Sequence, residues 1–179
     1  MTARVLGIDP GLRITGYGVV ERRGSGYRLV EAGVVAPTRG RSLEERLSEL
    51  HRGISDVIAG TQPTCLVIEE LYATYKNPMT AILMGHARGV LCLAGAQAGL
   101  GVHTLGHSLV KRAMVGSGSA TKDMVNAMVT QLLGLRQAPE PNDVSDALAL
   151  SIAYLNMGAR SATAALMLGA SRARSKEPA

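Results

Sequence analysis

The sequence predicts an α/β domain built on a mixed five-stranded sheet: a three-stranded antiparallel meander, then two parallel strands, with helices packed against it. Three observations lead there. Two apolar runs, Val5-Leu6-Gly7-Ile8 and Cys65-Leu66-Val67-Ile68, contain no charge, and each stops in acid, at Asp9 and at Glu69-Glu70. Such runs read as strands buried on both faces of a sheet. Three strand-like runs joined by short turns open the chain, and helical patterns separate the strand-like runs that follow.

Taken in order, the strand-like runs are Arg4 to Ile8, Ile14 to Val20 and Tyr27 to Val35, joined by Pro10-Gly11 and by Arg23-Gly24-Ser25-Gly26. Ser42-Leu43-Glu44-Glu45 has capping-box spacing, and Leu43, Leu47, Leu50, Ile54, Val57 and Ile58 recur at helical intervals until Gly60. The Thr61-Gln62-Pro63 turn leads into the second acid-ended strand. Asn77-Pro78 reads as an N-cap with proline at the first helical position, opening a long helix through Ala98. Gly85 and Gly89 lie one turn apart on it and allow another backbone to come close, within the subunit or across an interface. Val102 to Leu105 is a short fifth strand. Beyond Ser108 the chain turns polar, with Lys111-Arg112 and then Gly116-Ser117-Gly118-Ser119-Ala120-Thr121-Lys122, before an apolar helix from Met124 to Leu135. The glycine-serine run reads as a solvated loop, with exposed N–H groups toward a phosphate as the sharper alternative. Pro139-Glu140-Pro141-Asn142 precedes a last helix that opens with Asp143-Val144-Ser145-Asp146.

A length of 179 residues with 46% hydrophobic content suits one globular domain with a sizeable core. That domain is placed at residues 1–157, and residues 158–179 read as a basic, flexible tail. The net charge of +5 favours a polyanionic partner, and the tail's four basic residues against one acid account for three of those charges. Cys65 and Cys92 both sit in apolar segments, so they read as core residues in a reducing compartment, with the cytoplasm as the default. There is no basic-then-apolar leader, and no apolar run is expected to reach the length of a bilayer span.

Four acids remain at strand ends or a helix start: Asp9, Glu69, Asp143 and Asp146. Each has a plainer account, Asp9 as an Asx residue in its turn and the last two as helix-capping acids. Together they ask for more. Parallel neighbouring strands put Asp9 and Glu69 at one sheet edge, and a helix returning there brings Asp143 and Asp146, three residues apart, into the same pocket. Carboxylates so close repel one another unless cations keep them ionised. Hard oxygen ligands in that number suit Mg²⁺ or Mn²⁺, and two ions about 4 Å apart are the arrangement that activates water for phosphodiester cleavage. Glu70 is the rival to Glu69, and strand alternation sends the two to opposite faces.

These residues also carry a resemblance. Gly7-Ile8-Asp9-Pro10-Gly11 with Thr15-Gly16-Tyr17-Gly18, Ile68-Glu69, Gly85-His86-Ala87-Arg88-Gly89, Val115 to Lys122, and Asp143 to Ala149 are five ordered matches over about residues 4 to 157. The chain thereby resembles the RuvC-type Holliday junction resolvases, nucleases of the ribonuclease H-like superfamily. The resemblance implies a homodimer that binds four-way junction DNA and nicks two opposed strands with metal-activated water. It implies Asp9, Glu69, Asp143 and Asp146 as catalytic metal ligands for two Mg²⁺ or Mn²⁺ ions, and it favours Glu69 over Glu70. It places Lys111 and Lys122 at the DNA, with Arg112 and Ser117 added as candidate DNA contacts beside them, and implies RuvA and RuvB as branch-migration partners.

The chain departs from the family pattern in two places. The family's Phe three residues after the second acid is replaced by Tyr72, with Tyr75 in the same loop, and either ring can stack on a base. Met124 stands where a Gln is expected. Two other classes compete with the nuclease reading. One is an actin-like or sugar-kinase-like nucleotide-binding phosphotransferase, which 179 residues are too few to build as two lobes. The other is a non-catalytic nucleic-acid-binding module, against which the retention of all four acids argues.

Overall fold

The computed structural model describes the backbone of residues 3–71 and 78–174, and side chains as far as residue 158. Tyr72, Tyr75 and the expected N-cap Asn77 lie outside the described residues. Five strands form one sheet, β1 (Arg4–Asp9), β2 (Thr15–Arg23), β3 (Gly26–Val35), β4 (Cys65–Glu69) and β5 (Gly101–Leu105), in the order β3-β2-β1-β4-β5. The first three pair antiparallel, with a bulge between Val19 and Val20, while β4 runs parallel to both β1 and β5.

Side-chain alternation divides the sheet's two faces. Leu6, Ile8, Leu66 and Ile68 pack with α1 (Leu43–Thr61) and α2 (Pro78–Gln97). Val5 and Val67 pack on the opposite face with α3 (His107–Val115), α4 (Lys122–Leu133) and α5 (Asn142–Arg174). β1 and β4 are therefore buried on both sides, which is why their sequences are uniformly apolar rather than alternating.

Local chemistry sets the helix ends. Ser42 accepts the Glu45 N–H at 3.4 Å, and the Glu45 carboxylate accepts the Ser42 N–H at 3.0 Å, closing the capping box that starts α1. The helix does not stop at Gly60. Thr61 is buried with its hydroxyl on the Val57 carbonyl, which holds the last turn, and Gln62 takes the left-handed cap at φ 49°. The sequence reading has no helix at α3, whose buried Val110, Ala113 and Met114 are interleaved with Lys111 and Arg112. Gly116 ends α3 in the left-handed region at φ 86°, donating to the Arg112 carbonyl, and the Thr121 hydroxyl caps α4. Both ends of the glycine-serine run are thus spent on ending one helix and starting the next.

α5 continues as helix to Arg174, through the stretch read from sequence as a tail beginning at Gly158. The expectation about apolar length is corrected at α2. It has 20 residues and a mean hydropathy of 1.3, long and apolar enough to cross a bilayer by length and composition alone. Its composition reflects two apolar faces: Ala87, Leu91, Ala94 and Gly95 are buried, while Met79, Ile82 and Leu93 are exposed on the outside. Among the described residues nothing lies within 4 Å of where a Cβ on Gly85 or Gly89 would stand.

Candidate active site

Asp9 is the last residue of β1, and Glu69 the last of β4, one step beyond the paired Ile8 and Ile68. Parity places both on the side of the sheet that faces α5, since Asp9 follows Val5 and Gly7, and Glu69 follows Cys65 and Val67. Glu70 lies past the strand end, exposed, with its N–H donating to the Leu105 carbonyl at 3.0 Å. The turn after Asp9 is closed by Thr15, fully buried, whose Oγ1 accepts the Gly11 N–H at 3.1 Å and donates to the Gly11 carbonyl at 2.6 Å.

α5 reaches this edge because the sheet has glycines under it. A Cβ on Gly7 would stand 2.1 Å from the Ala147 carbonyl oxygen, and one on Gly16 would stand 2.1 Å from the Asp143 carbonyl oxygen. Gly16 is also the residue paired with Asp9 across β1 and β2. The helix backbone therefore rests directly on the strands, and its first turn delivers Asp143 and Asp146 beside Asp9. Ser145, fully buried between them, donates to Asn126 Oδ1 at 2.8 Å and ties this turn to α4.

Electrostatics shows how tightly the acids are grouped. The Asp9 carboxyl is pushed from 3.8 up to about 8, first by burial, then by the charges of Glu69 and Asp146, a hydrogen bond with Glu69, and the charge of Asp143. Lys122 Nζ lies 2.6 Å from Asp146 Oδ2. Burial lowers the Lys122 pKa, but the Asp146 contact and the charges of Asp146, Asp9 and Asp143 outweigh it, so the ammonium is held above its usual value. A second partner was missed from sequence: His107, first residue of α3, meets Glu69 Oε1 through its Nδ1. Arg88 on α2 donates to the Glu69 carbonyl at 3.3 Å and to Thr104 Oγ1 at 2.7 Å, bracing the ends of β4 and β5.

Glu69, His107, Lys111, Lys122 and Asp146 line one pocket, backed by Val110, Val125, Ala149 and Leu150. Arg112 and Ser117 are exposed nearby in sequence, with the Ser117 hydroxyl 2.9 Å from that of Ser119. Among the described residues, no three His, Cys, Asp or Glu side chains close to metal-ligating spacing on one another. The donor set still suits a divalent cation: the oxygens are hard carboxylates, and Asp9 shows that negative charge there is in excess of what Lys122 neutralises.

Residues 5–154 match the family described as crossover junction endodeoxyribonuclease RuvC. A crossover junction endodeoxyribonuclease RuvC from Rhodopirellula baltica is 47% identical over 148 residues, covering 83% of each chain. The Thermus thermophilus RuvC structure superposes with a TM-score of 0.81 at 33% identity, covering 88% of this chain and 96% of that one. A second structure, of T. thermophilus RuvC in complex with a Holliday junction substrate, gives a TM-score of 0.80 at 30% identity over the same shares.

Proposed function

The chain belongs to the RuvC family of crossover junction endodeoxyribonucleases, and from that premise we propose that it binds four-way DNA junctions as a homodimer and nicks two opposed strands by metal-dependent phosphodiester hydrolysis. The observation that carries this reading is the convergence of four acids on one sheet edge, Asp9 and Glu69 at the ends of β1 and β4 with Asp143 and Asp146 from the first turn of α5, close enough that burial and their charges push the Asp9 carboxyl up. Such a cluster recruits cations. Asp9, Glu69, Asp143 and Asp146 would hold two Mg²⁺ or Mn²⁺ ions, which supply a deprotonated water and neutralise charge on the leaving oxygen. Lys122, held charged against Asp146, presents an ammonium beside the phosphate being cut, and Lys111 extends the positive lining of the same pocket.

The rest of the reading follows from what junction resolution demands. Two opposed nicks need two sites related by a two-fold axis, and the exposed apolar face of α2 with the open Gly85 and Gly89 is the surface offered for a second copy. Arg112 and Ser117 contact the DNA backbone, and Tyr72 or Tyr75 stacks on a base at the junction. Residues 1–157 carry these functions and 158–179 add little. RuvA and RuvB as branch-migration partners, and a cytoplasmic location, belong to the same reading. The test incubates purified protein with a synthetic mobile four-way junction and a matched linear duplex, with and without divalent metal and with and without ATP. Paired nicks confined to the junction, dependent on metal and indifferent to ATP, are expected. Binding without cleavage would return the non-catalytic module, and ATP dependence the phosphotransferase.

A further inference from the structure

We propose that His107 is a positioning residue for Glu69, holding one oxygen of that carboxylate so that the other is presented to the divalent ion. The inference rests on the metal-dependent reading above and deepens it. β4 and β5 end level with each other, since Glu69 pairs with Leu105 across the parallel ladder. Gly106 then starts α3 as an N-cap with no side-chain bond of its own, and His107, the first helical residue, is turned back over the strand end. Its Nδ1 meets Glu69 Oε1. A carboxylate that holds an ion only accepts, so in that state Nδ1 donates to Oε1 and Oε2 is left for the ion.

A glutamate at a strand end otherwise surrenders its rotamer freedom when it ligates an ion. Here the backbone is braced as well, with Arg88 donating to the Glu69 carbonyl at 3.3 Å, so the His107 contact fixes the last torsions of a side chain whose root is already held. Partners of this kind behind a metal-ligating carboxylate are typically worth about 10- to 100-fold in metal affinity. Asp146 has a comparable partner in Lys122, but that one carries the charge an ion would replace. His107 orients Glu69 without taking up both of its oxygens.

The experiment titrates Mn²⁺ into DNA-free protein by calorimetry for the parent, His107→Ala, His107→Asn, His107→Gln and Glu69→Gln, with thermal unfolding in EDTA to check that each is folded. His107→Ala should bind the ion about tenfold more weakly and need correspondingly more metal for half-maximal junction cleavage, with kcat at saturating metal falling less than the affinity. His107→Asn should recover most of the affinity, because its amide nitrogen stands where Nδ1 does, and His107→Gln should not. Parent-like affinity in His107→Ala overturns the inference alone, provided Glu69→Gln has lost binding. Rescue by Gln instead of Asn also overturns it, since Nε2 would then be the working atom. A parent that binds no ion, or a Glu69→Gln that binds as well as the parent, overturns the metal reading and this inference with it.

Discussion

The carbonyl oxygen of Asp143 lies 2.1 Å from the point where a Cβ on Gly16 would stand, so an acid-bearing helix is seated on the sheet with no side chain between them. Backbone cannot step aside as a flexible side chain can. Gly16→Ala should therefore lift the start of α5 and draw Asp143 and Asp146 away from Asp9. We expect a stability loss of about 1–3 kcal/mol, the usual cost of overpacking, and a cleavage loss larger than that predicts for the fraction still folded. Thermal unfolding and junction cleavage on the same preparation separate the two. Parent-like cleavage in the folded variant would show that α5 need not sit so close.

The four acids are proposed to hold cations rather than DNA. Asp9→Asn, Glu69→Gln, Asp143→Asn and Asp146→Asn each keep shape and remove charge, so each should abolish nearly all cleavage while junction binding survives. Without metal, binding should even tighten, since one negative charge facing the phosphates has gone. Glu70→Gln, exposed beyond the strand end, should cleave like the parent. An active Asp143→Asn that is about 1 kcal/mol less stable would mark that residue as a helix-capping acid only.

Much of this arrangement was legible because its signals are local. An uncharged strand ending in acid announces both its burial and the place where it stops, and the Ser42 to Glu45 spacing announces a capping box within four residues. What was missed depends on contacts between distant segments. α3 escaped because its three buried residues are crossed by Lys111 and Arg112, and its N-cap, Gly106, has no side chain to signal a start. His107 is 38 residues from Glu69 in sequence, and only the level ending of β4 and β5 joins them. The glycines of β1 and β2 were readable as motif positions, but their use as a seat for α5 is a property of packing. The segment from Gly158 was read by its low complexity as a tail, and the backbone of α5 runs on through it as helix to Arg174.

Asp9 should leave a mark on stability as pH changes. Its carboxyl is raised from 3.8 to about 8 in the fold, so between those values the folded protein holds a proton that the unfolded chain has released. Stability from this group is therefore fully present below about pH 4, falls as pH rises toward 8, and is level above that. In EDTA, Asp9→Asn should unfold near the parent's temperature at pH 4 and clearly above it at pH 8, by on the order of a few kcal/mol. Mg²⁺ or Mn²⁺ should reverse the order by stabilising the parent, more at pH 8 than at pH 6. Equal unfolding temperatures across this range would show that Asp9 ionises normally in solution.

Assembly gives a further expectation, carried by the outer face of α2. Ile82 is 52% exposed, and among the described residues nothing lies within 4 Å of a Cβ placed on Gly85. Ile82→Glu should leave the unfolding of the subunit within about 0.5 kcal/mol, as surface changes generally do, yet shift sedimentation at micromolar concentration from dimer to monomer. Paired nicks on a mobile junction should then become single ones. A parent that sediments only as monomer, with and without junction, would dispose of the homodimer.

The final expectation concerns how charge is shared between the body and the C-terminal segment. Lys111 lines the pocket that holds Glu69 and Asp146, and Arg112 is exposed one residue further along α3, so both are placed to neutralise phosphates rather than to read bases. Each neutralised phosphate releases condensed counterions, and the logarithm of the binding constant then falls with the logarithm of salt by roughly 0.9 per contact. Lys111→Ala and Arg112→Ala should each weaken junction binding and flatten that slope by about one unit, equally for junctions of different sequence. Lys122→Ala should flatten it too, and in addition should lower cleavage at saturating DNA, because its ammonium sits 2.6 Å from Asp146. Removing residues 160–179 deletes Arg160, Arg172, Arg174 and Lys176 but leaves Lys111, Arg112 and Lys122 in place, so its effect on affinity should be smaller than that of any of the three substitutions. A deletion that cost more than Lys111→Ala would move the main DNA-binding surface from α3 and α4 to the end of α5.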